Sequence, residues 1–89
     1  MLLEAPSITQ DYQVNIGWKS LDYTENGCEG AIKIYIDPPT CYGMPFAFYI
    51  PGETRWREVM PEWAADRRVE IVRRIKEECS HYHAEWVEG

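Results

Sequence analysis

The 89-residue chain has no apolar run approaching the roughly 20 residues that a membrane helix requires, so no helical span is expected. It holds two histidines and three cysteines, Cys28, Cys41 and Cys79, and no two cysteines are closely spaced. An odd, unpatterned set reads as reduced thiols in a cytosolic protein, not as a disulfide framework or a CxxC metal site. There is no GxSxG elbow, no Gly-rich phosphate loop and no HExxH. Positive charge is scarce as well: nine Lys and Arg face fifteen Asp and Glu, a net charge of −6. That balance argues against a nucleic-acid backbone or an anionic membrane surface as the main partner and favours a basic protein or no charged partner at all. The opening MLLEAPS has no basic n-region, and Glu4 and Pro6 interrupt its apolar residues, so it does not read as a secretory signal and a cytoplasmic location is expected.

What is present is aromatic and periodic. Four tryptophans and six tyrosines enlarge a core that a chain of this size would otherwise build thin. From Pro61 to Cys79 the spacing predicts one long amphipathic helix. Ala64, Ile71, Val72, Ile75 and Cys79 gather on one side, with Tyr82 beyond, and Glu62, Asp66, Glu70, Arg73, Arg74 and Glu77 fill the other. Pro61 suits the first helical position and Glu62 the positive end of the dipole. Glu70 with Arg74 and Arg73 with Glu77 stand four apart, worth about 0.3–0.5 kcal/mol each on a solvated face. Arg68 falls in the middle of the apolar side. Its stem lies along the core edge with the head in solvent, or it pairs with a buried carboxylate, or it faces a ligand or partner.

Tyr12, Val14, Ile16 and Trp18 alternate with polar or small residues as a half-buried strand, and beyond Ser20 the parity flips to Leu21 and Tyr23. Ile32, Ile34 and Ile36 define a second strand. Asn26-Gly27 between them signals a two-residue hairpin, which would set Lys19 against Ile34 unless a β-bulge near Lys19–Ser20 resets the register, so a bulge is predicted. Phe46, Phe48 and Ile50 form a third strand, closed by Pro51-Gly52. Residues 53–60 read as a helical turn or a packed loop in which Trp56, Met60 and Trp63 cover the core or line a groove. Tyr82, Ala84 and Trp86 make a closing fourth strand.

The order β-β-β-α-β implies an α+β domain: a four-stranded, mainly antiparallel sheet with the long helix on one face. The other face would show Gln13, Asn15, Lys33, Tyr35, Ala47, Tyr49 and His83 to water. Two tyrosines among few charges suit a contact surface, so Lys33, Tyr35 and Tyr49, with Trp56 and Arg68 from the helical half, are the candidate partner-binding residues. They would serve a protein partner or self-association as a homodimer. The alternative chemistry lies in CSHYHAE, where His81, His83 and Glu85 would project alike on a strand and could converge on Zn. Cys28 or Cys41 with a histidine is conceivable as a nucleophilic pair, but no orienting third group can be read.

The run WREVMPEWAADRRVEIVRRI, with the terminal EWVEG after a hairpin-rich first half, resembles small uncharacterised bacterial single-domain proteins, some of which share the build of toxin-immunity proteins. That resemblance implies a non-catalytic inhibitor or immunity partner of a basic protein and transfers no site residue.

Overall fold

The computed structural model describes residues 11–89. Eight elements follow in order: β1 (Tyr12–Ile16), β2 (Ser20–Glu25), β3 (Ile32–Asp37), β4 (Phe46–Ile50), α1 (Glu53–Val59), α2 (Glu62–Ala65), α3 (Arg68–Glu78) and β5 (Ala84–Glu88). The strands lie side by side in sequence order; β1 to β4 are antiparallel neighbours, and β5 runs parallel to β4. A parallel neighbour needs a crossover, and the three helices supply it. The sheet is therefore five-stranded and mixed, with three short helices, which corrects the expected four-stranded, mainly antiparallel sheet under one long helix.

Two local events account for the difference. The parity flip after Trp18 marks a chain reversal, not a bulge. Gly17 N–H donates to Ser20 O at 2.8 Å, β1 folds back on β2, and Trp18 is left 72% exposed in the turn. Leu21 then opposes Ile34, and Tyr23 opposes Ile32. The β2–β3 connection is also longer than a two-residue hairpin: it runs over residues 26–31 and uses positive φ at both Gly27 and Gly30.

The helix breaks at Asp66 and Arg67. In a continuous helix the Ala64 carbonyl would accept from the Arg68 N–H. Here it accepts instead from the Trp56 indole at 2.9 Å and from Arg67 N–H at 3.0 Å. Trp56 is wholly buried, so this bond is shielded from water and holds the break in place. Pro61 stands just before α2, with ψ 158°, not inside it.

One face of the sheet is covered. Leu21, Tyr23, Ile32, Ile34, Ile36, Phe48 and Ile50 meet Trp56, Ala64, Ile71, Val72, Ile75 and Cys79 in a single core. Phe48 stacks on Trp86 at 4.5 Å, and Tyr82 sets its edge against Phe46 and Phe48. No helix among the described residues is long and apolar enough to cross a membrane.

Candidate interaction surface

Strand alternation places Gln13, Asn15, Ser20, Asp22 and Thr24 on the face away from the helices. Lys33, Tyr35, Asp37, Ala47, Tyr49, Glu85 and Val87 share it. Tyr35 pairs with Tyr49, and Tyr49 with Val87, so an apolar row crosses three strands. The two rings sit 5.7 Å apart at 36°, with Tyr35 53% exposed and Tyr49 38%. Aromatics standing in water on rigid strands lose little side-chain entropy when a partner covers them. Beside the row a notch of about 310 Å³ opens between Tyr49, Ile50, Pro51, Arg55, Val87 and Gly89.

The sequence-derived candidates divide between surface and interior. Lys33 is on the open face, but its ammonium holds Asp22 on the neighbouring strand at 3.0 Å. Asp22, Asp37 and Glu85 outnumber it there, giving the face an acidic margin. Trp56 is removed from the surface altogether, because it belongs to the core and its N–H to Ala64. Arg68 takes a form between two of its readings: Nε donates to Pro51 O at 2.8 Å and the guanidinium approaches Glu88 at 3.4 Å, with the side chain only partly buried. His81 and His83 precede β5, so the alternation that would aim them together with Glu85 begins only at Ala84. His81 instead lies against Tyr82. Among the described residues no group of three His, Cys, Asp or Glu is arranged to hold a metal ion. Cys79 is buried, and burial, with a smaller contribution from Glu78, pushes its thiol up to about 11, away from nucleophilic use at neutral pH.

Sequence reasoning overlooked a cluster at the other end of the core. Glu25 takes both guanidinium nitrogens of Arg67 at 2.8 Å, with Arg74 at 3.1 Å and the Tyr23 hydroxyl completing its shell. Arg67 and Arg74 also hold Glu70, and Arg74 lies over the Tyr12 ring. The Arg67 hydrogen bonds hold the Glu25 carboxyl below the usual range, against the opposing effect of burial. Burial first, then the hydrogen bond to Glu25, raises Tyr23 to about 12. The signal was available: Glu25 follows Leu21 and Tyr23 at a spacing of two, which points it inward, and an inward carboxylate needs cations. Every acid and base in the cluster is matched, so it ties β2 to α3 and offers no free group for catalysis.

Compared with known proteins, the chain matches no family model, no curated protein and no solved structure.

Proposed function

We propose that this chain is a non-catalytic protein-interaction module that docks a basic protein on the open face of its sheet, in the manner of a stoichiometric inhibitor or immunity partner acting in the cytoplasm. The observation that carries the reading is the Tyr35–Tyr49–Val87 row. These are exposed apolar side chains on regular strands, uncovered by any helix among the described residues, with Asp22, Asp37 and Glu85 around them. Interfaces favour this composition, an aromatic centre inside a charged rim whose sign steers the partner. The net charge of −6 extends the same preference to long range. The adjoining 310 Å³ notch would receive one anchoring side chain of the partner.

The test is affinity retention from extracts of the source cell with immobilised wild type and with Tyr35→Glu/Tyr49→Glu. The two positions are cross-strand partners, so the paired carboxylates should lower the thermal midpoint modestly, and retention is compared at a temperature where both proteins are fully folded. A basic protein held by wild type and lost from the folded variant supports the reading. Identical retention by both proteins contradicts it.

A further inference from the structure

The parallel ladder between β4 and β5 fixes which backbone groups of β5 are already used. Phe46 N–H donates to His83 O at 2.8 Å and Gly89 N–H to Ile50 O at 3.2 Å, so residues of odd number on β5 turn both amide groups toward β4. Ala84, Trp86 and Glu88 therefore aim theirs outward, and among the described residues no strand takes them up, since β5 ends the sheet. An unpaired edge of this kind is a template for another strand.

The ground beside that edge is apolar. α3 flanks β5 and leaves between them a groove of about 540 Å³, with Val69 and Val72 on the helix and Arg73, Lys76, Glu77 and Glu88 around them. Val69 is 78% exposed, although it belongs to a packed helix. Lys76 and Arg68 are drawn to Glu88 at the strand end, at 2.7 and 3.4 Å. On the outer side of α3, Arg73 and Glu77 stand 3.4 Å apart, one of each sign along the axis.

We infer that two copies of this chain associate by antiparallel pairing of β5 with β5, forming a continuous ten-stranded sheet whose two α3 helices run side by side in opposite directions, with the dyad level with Lys76, which lies over the Trp86 ring. The occupant follows from self-complementarity. A two-fold axis reverses the second helix, so Arg73 of one copy faces Glu77 of the other, twice over. Register follows from the same logic. With Trp86 opposite its own counterpart, Ala84 meets Glu88 and Glu85 meets Val87, and all five residues of β5 are paired. Centring on Glu85 would set two carboxylates against each other, which is destabilising. This mode leaves most of the open face and its tyrosine row free, so it is independent of the function proposed above.

Analytical ultracentrifugation of the full chain tests it. Wild type should sediment with a concentration-dependent mass rising from 10.5 kDa toward twice that value. Ala84→Pro removes an outward N–H at the first residue of the strand, where proline is tolerated, and should yield a monomer. Arg73→Glu should weaken dimerisation by roughly tenfold, and Arg73→Glu/Glu77→Arg should restore it, since both positions are exposed and the swap recreates the pairing. Wild type that remains monomeric overturns the inference. So does a dimer that survives Ala84→Pro or ignores the charge swap, or one that is lost on Tyr35→Glu/Tyr49→Glu, because the open face would then be the contact.

Discussion

A carboxylate at Glu25, on the inward side of β2 and with a side chain only 10% exposed, stays ionised because two guanidiniums meet it. Removing its charge should cost about 2–3 kcal/mol, below the figure for a fully buried pair, since Arg67 and Arg74 both reach solvent. Glu25→Gln followed by urea unfolding measures this. Glu25, Glu70 and Glu88 all bind protons more weakly when folded, owing first to hydrogen bonds from Arg67, Arg67 and Lys76. Their stabilisation is complete above the usual value of 4.5 and is lost as the pH falls through the depressed folded values, so the midpoint should drop in acid and Glu25→Gln should flatten that limb. The alkaline side has the opposite sign. Cys79, raised from 9.0 to about 11, and Tyr23, raised from 10.0 to about 12, keep their protons longer when folded. Stability should therefore decline between pH 9 and 12, and Tyr23→Phe should remove the later part of that loss at a cost of about 1 kcal/mol at neutral pH.

Trp56 decides how the helical segment is divided, because its indole takes the Ala64 carbonyl. Trp56→Phe should cost about 2–3 kcal/mol through lost volume and the lost bond, read from the urea midpoint. Gly27, at φ 84°, should not accept a side chain: Gly27→Ala should lower stability by about 1 kcal/mol through strain, although the space around it is open. Much of this organisation was legible in the sequence. The alternation of Ile32, Ile34 and Ile36, the Phe46–Ile50 strand, the inward side of α3 from Ile71 to Cys79 and the outward tyrosines all follow from period alone. What could not be read was the connectivity between like patterns. A parity flip at Ser20 is the same in sequence whether it marks a bulge or a reversal, and only the Gly17–Ser20 hydrogen bond distinguishes them. The helix break was equally hidden, because its cause lies eight residues away in Trp56. The status of Lys33 and Arg68 depended on partners, Asp22 and Glu88, that only the sheet brings near.

At the scale of the molecule, all the helices among the described residues lie on one side of the sheet. That asymmetry leaves the tyrosine row bare and gives the chain a flat, acid-rimmed face, the central element of the proposed function. Tyrosine nitration by tetranitromethane, mapped by mass spectrometry on the free protein and on its complex with the basic protein that it retains, tests the claim most directly. Tyr42, wholly exposed in its loop, is the reference for access, and Tyr23, wholly buried, the reference for exclusion. The account predicts that Tyr35 and Tyr49 react in the free protein and are protected in the complex, while Tyr42 reacts in both and Tyr23 in neither. Reaction of Tyr35 and Tyr49 at equal rates with and without the partner would contradict it.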